Sequence, residues 1–195
     1  MARVVLASHN PHKLEEFQRI LGGAVPGLEL VGYDGPEPVE DGVSFAENAL
    51  IKARAAARHT GLPALADDSG ICVDVLGGAP GIFSARWCGR HGDPAANNAL
   101  LLAQLADVRE ADRTAHFACT IALVRPDGED VVVEGIWPGR VATEERGAHG
   151  FGYDPLFIPA GDDRSSAELT AEEKNAVSHR ARAFEAILPA LRELD

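Results

Sequence analysis

Hydrophobic positions at the start of the chain predict a strand, a turn and a helix. Residues 4–7 form a short apolar run, and the apolar positions in residues 14–21 recur at helical spacing. Asn10 is a suitable N-cap and Pro11 suits the first helical position, whereas Gly22 and Gly23 predict the end of the helix. One face of this helix is therefore expected to pack on a sheet.

Capping signals predict three further helices. A Ser-Phe-Ala-Glu capping box at residues 44–47 begins a helix that runs to about residue 60. An Asp-Pro pair at 93–94 begins another that runs through residue 105. A Thr-Ala-Glu-Glu box at 170–173 precedes the apolar stripe of a final helix.

Short apolar segments between the helices predict the strands. Residues 28–31 and 64–66 are two of them, the second ending at Asp67-Asp68-Ser69-Gly70, after which 71–76 resume apolar character. Segments 117–124 and 131–136 flank a Pro-Asp-Gly turn and predict a β-hairpin. The alternation favours an α/β fold with a mixed sheet and flanking helices. No repeat or linker divides the chain, so residues 1–195 are predicted to form a single domain.

Composition and charge narrow the classes of protein. The 195 residues are 46% hydrophobic, enough for one domain or two closely packed lobes, and no segment approaches the ~20 apolar residues of a membrane span. The lack of such a span argues against a membrane partner, and a net charge of −12 argues against a nucleic-acid partner but not against a small polyanion. The three cysteines show neither zinc-ligand nor disulfide spacing. We therefore expect a cytoplasmic protein with reduced cysteines.

The turn from Ser8 to Lys13 is the first candidate for chemistry. A helix N-terminus attracts phosphate, and Lys13 lies one turn inside the helix. Neither the Walker string nor the GxGxxG fingerprint is present. The alternative is that this capped helix is only architecture.

Acidic residues form the second candidate. Glu40, beside Asp41, lies in a Gly/Pro-rich loop, and Asp67 and Asp68 follow a predicted strand just before Ser69. Carboxylate oxygens are the ligands that Mg²⁺ prefers, and Mg²⁺ commonly bridges carboxylates to substrate phosphates. A solvated turn with hydrogen bonds to the backbone is the alternative.

Cationic and aromatic residues near the C-terminus form the third candidate. Lys174, His179 and Arg180 are suited to binding phosphates or a purine carbonyl, and Phe151 and Tyr153 offer faces for stacking on a base. A solvated helix surface and simple core packing are the respective alternatives.

Five segments in order, spanning about residues 3 to 192, resemble the inosine triphosphate pyrophosphatase family, the dITP/XTP pyrophosphatases. They are LASHNPHKLEEF, SFAENALIKARAAA, ALADDSGICVDVLGGAPGIFSARW, GFGYDPLF and AELTAEEKNAVSHRARAF. The resemblance implies a two-lobed, elongated α/β fold around a long mixed β-sheet, with the nucleotide in a cleft between the lobes. It also implies a homodimer that uses Mg²⁺ to hydrolyse ITP, dITP and XTP to the monophosphate and pyrophosphate.

The same resemblance implies roles for individual residues. Asp68 matches the position that activates water, and Glu40 and Asp68 match the magnesium ligands, with Lys52 and Asp67 in support. His9, Pro11 and His12 fill variable positions without roles of their own, although they belong to the turn expected to line the substrate. The implied substrate contacts are Ser8, His9, Asn10, Pro11, His12, Lys13, Lys52, Ser69, Phe151, Gly152, Tyr153, Asp154, Lys174, His179 and Arg180.

Two other interpretations remain open at this point. A related Maf-like pyrophosphatase of different base preference usually opens with a Ser-Pro-Arg-Arg string, which this chain lacks. A nucleotide-binding module without catalysis is disfavoured by the presence of both Glu40 and Asp68.

Overall fold

The fold is a six-stranded mixed sheet with flanking helices, and the computed structural model describes residues 2–9 and 11–194, without the side chains of residues 11, 12, 16 and 22. The strands are β1 Ala2–Leu6, β2 Leu28–Gly32, β3 Ala64–Val73, β4 Thr114–Val124, β5 Val131–Val141 and β6 Phe157–Pro159. The α-helices are α1 Pro11–Ala24, α2 Phe45–Thr60, α3 Pro94–Gln104, α4 Ala171–Val177 and α5 His179–Arg192.

The sheet has the order β2-β1-β3-β4-β5-β6. β1 pairs in parallel with β2, where Ala2 lies opposite Leu28, and with β3, where Val5 lies opposite Ala64. β6 pairs antiparallel with β5. β4 and β5 are hydrogen-bonded neighbours joined by a short connection, as the predicted hairpin requires. The predicted mixed α/β architecture is therefore confirmed.

The chain divides into two compact units. The first comprises Met1–Asp68, Thr120–Glu134 and Ala183–Asp195, and the second comprises Ser69–Cys119 and Gly135–Arg182. The chain passes from one unit to the other within β3, β4, β5 and α5.

The core of the first unit depends on small side chains along α2. Ala49, Ala53, Ala56 and Ala57 are buried at helical spacing and pack with residues of β1, β3 and β4. Alanine has no bulk beyond Cβ, so the backbone of α2 lies close to the strands. This close approach brings the polar residues on the same helix near β3.

Aromatic and aliphatic side chains fill the core of the second unit. The Phe117 ring meets the Phe157 ring edge-on, with 4.6 Å between the ring centroids, and the centroids of Trp137 and Phe157 lie 5.2 Å apart. Leu101 of α3 and Tyr153 belong to the same cluster. The loop that contains Tyr153 is therefore anchored to a rigid core.

Most predicted helix ends are confirmed. Ser44 Oγ accepts the Glu47 N–H at the start of α2, and Gly61, with φ of 69°, ends that helix in the left-handed conformation. Only half of the first capping box forms, because the Glu47 carboxylate accepts from Val43 N–H. The box of Thr170 and Glu173 is complete in both directions.

Three predicted boundaries are wrong. β3 does not end at the acids but continues through Asp67 and Asp68 to Val73, because basic and amide side chains from α1 and α2 contact the carboxylates. α1 continues through two glycines to Ala24. Each glycine lowers helix stability by about 1 kcal/mol relative to alanine, and burial of the Phe17 side chain offsets this loss. The final helix is broken at Ser178, whose extended backbone separates α4 from α5.

The apolar segment 71–76 is strand only as far as Val73 and continues as a 3-10 helix, Asp74–Leu76, and a second 3-10 helix, Gly81–Arg86, follows. Among the described residues, no helix combines the length and apolar character needed to cross a membrane. Each of the three cysteines is a thiol.

Candidate active site

Two carboxylates of the first unit approach one lysine. Lys52 Nζ, on α2, lies 3.2 Å from Glu40 Oε2 and 3.6 Å from Asp68 Oδ1. Glu40 comes from the loop before α2, and Asp68 comes from the middle of β3. The structure therefore brings together two acids that are 28 positions apart in the sequence, as expected for a shared site.

Burial perturbs both ends of this contact. Burial raises the pKa of the Asp68 carboxyl above its ordinary value, although the Lys52 ammonium and the Asn48 amide act in the opposite direction. The pKa of Lys52 is also raised, because three neighbouring carboxylates outweigh the penalty of burying its charge. The lysine therefore stays cationic and favours ionised carboxylates around it.

Asn48 was not identified by the sequence analysis, although it contacts a predicted site residue. Its Nδ2 donates to Asp68 Oδ2 at 3.2 Å, and its Oδ1 accepts from Gly42 N–H at 3.0 Å. Asn48 lies four residues before Lys52, so both occupy the same face of α2. The signal available in the sequence was a polar residue next to the stripe of alanines along α2.

Lys13 lies at the predicted turn but contacts a carboxylate of β3. Its Nζ is 2.5 Å from Asp67 Oδ1, and Asp67 is almost completely buried. Of the other residues of the turn, Ser8 is partly buried, whereas Asn10 and the side chains of Pro11 and His12 lie outside the described residues. The structure therefore places one of the predicted phosphate contacts beside the acids.

His9 connects the turn to the loop that follows β2. Its Nδ1 lies 2.9 Å from Glu37 Oε1, and its Nε2 lies 2.9 Å from the Gly35 carbonyl oxygen. The His9 ring stacks on Tyr33 at 5.5 Å with the planes 8° apart. These contacts give His9 a structural role that its variable position did not indicate.

In the second unit, Phe151 carries an exposed aromatic ring beside two cations. The side chain is 65% exposed, and its ring centroid lies 5.4 Å from Lys174 Nζ and 5.1 Å from Arg180 Cζ. Arg180 also donates to Ser69 Oγ at 3.4 Å. Four predicted substrate contacts, from three separate segments, are therefore close together.

Asp154 holds the backbone of the Phe151 loop in place through its carboxylate. Its Oδ2 accepts from Phe151 N–H at 2.8 Å and pairs with Lys174, and its Oδ1 accepts from Ser166 Oγ at 2.7 Å. Gly150 has φ of 74°, and a Cβ there would overlap Asp154 Oδ2. Asp154 therefore holds the loop rather than facing solvent.

Two other predicted contacts are buried. Tyr153 donates its hydroxyl to the Ser84 carbonyl at 2.8 Å, and burial raises the pKa of its phenol. His179 is buried with its ring stacked 4.8 Å from that of Phe117. Tyr153 therefore fills core space, which is the alternative that the sequence had left open. The exposed aromatic face in this loop belongs to Phe151.

The donor chemistry of the acid group fits magnesium. Mg²⁺ is usually held by one or two carboxylates and completes its shell with water and substrate phosphates. Glu40 and Asp68 provide two carboxylates. Among the described residues, no cluster of three or more His, Cys, Asp or Glu side chains is arranged for a metal ion. Two carboxylates match the donor set that proteins usually offer to Mg²⁺, whereas structural zinc sites use mainly cysteine and histidine.

Comparison with known proteins gives matches along nearly the whole chain. The family model described as the Ham1 family matches residues 4–190. A dITP/XTP pyrophosphatase of Leifsonia xyli is 69% identical over 194 residues, covering 100% of this chain and 98% of the relative.

Solved structures give the same result. A nucleoside-triphosphatase, dITP/XTP pyrophosphatase, from Mycobacterium abscessus matches with 55% identity and a TM-score of 0.83, covering 96% of this chain and 99% of that one. A HAM1 protein from Coxiella burnetii matches with 42% identity and a TM-score of 0.92, covering 99% and 100%. The similarity therefore extends over the sequence and the fold together.

Proposed function

Because the chain belongs to the Ham1 family, we propose that it is a pyrophosphatase that hydrolyses ITP, dITP and XTP to the monophosphate and pyrophosphate. The resemblance stated from the sequence is confirmed at the family level. One observation of the site carries the proposal: Glu40 and Asp68 approach Lys52 in a chain that aligns along its length with dITP/XTP pyrophosphatases. Removal of non-standard purines from the nucleotide pool is the corresponding biological role.

We propose that Glu40 and Asp68 hold Mg²⁺. When bound, Mg²⁺ would neutralise charge on the phosphates and orient the attacking water. The Lys52 ammonium lies near both carboxylates and offsets part of their negative charge, and it opposes the rise that burial causes in the pKa of Asp68. The support for this assignment is the pair of hard oxygen donors beside a cation.

The proposed reaction is an in-line displacement at the α-phosphorus. Asp68 accepts a proton from the attacking water while the water oxygen bonds to phosphorus. The bond from the α-phosphorus to the bridging oxygen breaks, and pyrophosphate leaves. Lys13, held by Asp67 near the start of α1, binds phosphate oxygens as their charge increases.

Base recognition is assigned to the residues around Phe151. Its ring stacks on the purine, and Lys174 and Arg180 supply cations to the base and its neighbouring phosphate. Hypoxanthine and xanthine have a 6-oxo acceptor where adenine has a donor amino group. The candidate donors are His179, Arg180 and the Phe151 N–H. The Phe151 N–H already bonds to Asp154, and the buried His179 ring stacks on Phe117, so we assign the donor to the Arg180 guanidinium. Polar matching of this kind discriminates by as much as ~10⁴-fold.

A panel assay tests the function. Pyrophosphate release is measured from purine and pyrimidine triphosphates, with and without a divalent metal. We expect release from ITP, dITP and XTP only with metal, and kcat/KM for ATP far below that for ITP. Equal kcat/KM values for ITP and ATP would refute the base selectivity. No release from any triphosphate would indicate a nucleotide-binding module instead.

The role of Asp68 has its own test. Asp68→Asn keeps the size of the side chain but removes the base, so we expect retained nucleotide binding and a loss of turnover of about 10² to 10⁴-fold. Binding is measured by calorimetry and turnover by pyrophosphate release. Near-normal turnover would contradict the assignment.

We further propose that residues 1–195 act as one functional domain, as a homodimer in the cytoplasm. Support for these points comes from the family resemblance. Sedimentation equilibrium of the purified protein tests the dimer, and a monomer at micromolar concentration would contradict it.

A further inference from the structure

Asn48 joins the two elements that present the candidate magnesium ligands. Its amide oxygen accepts from Gly42 N–H, two residues after Glu40, and its amide nitrogen donates to Asp68 on β3. Both bonds come from one side chain that is 2% exposed. The Glu40 loop and the Asp68 strand are therefore tied together through a single amide group.

Close packing makes this connection specific for an asparagine. A Cβ at Gly42 would lie 2.7 Å from Asn48 Oδ1, so the loop backbone approaches the amide as near as a glycine allows. The buried amide uses a donor and an acceptor at the same time, which alanine, leucine or a carboxylate does not reproduce. The orientation of the amide is also determined, because one end faces an N–H donor and the other a carboxylate.

Asn48 also complements Lys52 on the same face of α2. Asn48 contacts Asp68 Oδ2, whereas Lys52 approaches Asp68 Oδ1. Each oxygen of this carboxylate thus has its own partner, one neutral and one charged. Two contacts from one rigid helix restrict the rotation of the carboxylate group.

We propose that Asn48 is a positioning residue that holds the Glu40 loop and the Asp68 carboxylate in the relative arrangement needed to bind one divalent cation. The proposal rests on the proposed magnesium site for its effect on metal binding and on the proposed hydrolysis for its effect on turnover. Outer residues that orient metal ligands typically change metal affinity or activity 10- to 100-fold when they are replaced. Asn48 does not contact the substrate in this role, so nucleotide KM should change much less than kcat.

The chain offers a matched control in Asn97. Asn97 lies four residues after the N-cap of α3, as Asn48 lies four residues after the N-cap of α2. It is also buried, and its Oδ1 accepts from Cys88 N–H at 2.7 Å. Replacing either asparagine by alanine removes a similar bond between a helix and a loop, but only Asn48 contacts a candidate metal ligand.

The experiment compares Asn48→Ala, Asn97→Ala and the wild type. Binding of Mn²⁺ alone is measured by electron paramagnetic resonance, exchange of the Gly42 amide by NMR, and folding by thermal unfolding. For Asn48→Ala we expect a 10- to 100-fold weaker Mn²⁺ affinity, faster Gly42 exchange, and a lower kcat with KM for ITP within threefold. Asn97→Ala should retain Mn²⁺ affinity within twofold at a comparable loss of Tm.

A second variant separates the two bonds and serves if Asn48→Ala does not fold. Asn48→Asp keeps an oxygen for Gly42 N–H but places a carboxylate against Asp68. We expect retained Gly42 protection and a turnover loss of at least tenfold. Turnover within threefold of wild type would overturn the proposal.

Other results would also overturn it. The proposal fails if Asn48→Ala binds Mn²⁺ with the affinity of the wild type. It also fails if Asn97→Ala weakens Mn²⁺ affinity as much as Asn48→Ala does, or if the wild type shows no saturable Mn²⁺ binding. If the wild type releases no pyrophosphate from any triphosphate, the proposed function fails, while Mn²⁺ binding and Gly42 exchange still test the role of Asn48.

Discussion

The ion pair of Lys13 and Asp67 predicts an unequal response to removal of its two members. The Asp67 side chain is 3% exposed, whereas that of Lys13 is 25% exposed. Lys13→Met leaves a buried carboxylate without the ammonium it contacts, whereas Asp67→Asn leaves an ammonium that can turn towards water. The first variant should therefore be the less stable one.

The structure also sets the size of the difference. Removing one partner of a buried pair lowers the free energy of unfolding by about 3–5 kcal/mol. The nearby Lys52 ammonium also acts on Asp67 and compensates part of its charge, so we expect a loss of about 3 kcal/mol for Lys13→Met. For Asp67→Asn we expect a loss of about 1 kcal/mol. At about 2–4 °C per kcal/mol for a chain of this size, Tm should fall by roughly 6–12 °C and 2–4 °C, respectively.

Thermal and guanidinium unfolding at pH 7, followed by circular dichroism, measures these differences. The double variant should be more stable than Lys13→Met alone, because it no longer buries a charge. Arg109→Met is the control, since the pair of Arg109 and Asp112 is exposed and should contribute less than about 1 kcal/mol. If Asp67→Asn costs as much as Lys13→Met, or if the two effects add, burial does not decide the cost of losing each partner.

Three further predictions concern the second unit. Phe151→Leu should weaken IMP binding about 5- to 150-fold, because stacking contributes ~1–3 kcal/mol per base; unchanged affinity by calorimetry would contradict a base contact. Gly150→Ala should cost roughly 1–3 kcal/mol of stability, because its Cβ would overlap the Asp154 carboxylate at a positive φ; an unchanged Tm would contradict this. Hydrogen bonds from Arg164 lower the pKa of Asp162 to about 2. The stability that Asp162 contributes is therefore complete above its unfolded value of about 3.9 and is lost as the pH falls towards 2. Asp162→Asn should flatten the stability profile between pH 5 and 2, and an unchanged slope in acid unfolding would refute this.

Local signals in the sequence located most of the elements. The Ser44 cap, the left-handed Gly61 and the Thr170 box involve residues within one helical turn, so their interactions are visible in a short window. The wrongly predicted boundaries lie where contacts between residues distant in the sequence determine the structure. The path of β3 through two acids depends on side chains from α1 and α2, and no local pattern reports those contacts.

The candidate site shows the same division. The family resemblance supplied Asp68, Glu40 and Phe151 from the sequence, but it gave no role to Asn48 and did not distinguish exposed Phe151 from buried Tyr153. Burial of an aromatic ring depends on the core that surrounds it. Sequence spacing alone therefore left both interpretations of Tyr153 open.

The sequence by itself determined the residue types, most of the helix ends and the family of this protein, because caps, apolar periodicity and matched segments are properties of the linear chain. Only the tertiary structure decided the partners of Asp67 and Asp68. Neighbouring residues of a strand project to opposite faces, so Asp67 contacts Lys13 of α1 while Asp68 contacts Asn48 and approaches Lys52 of α2. Two adjacent aspartates that are identical in type thus acquire different environments, because their side chains contact residues of different helices.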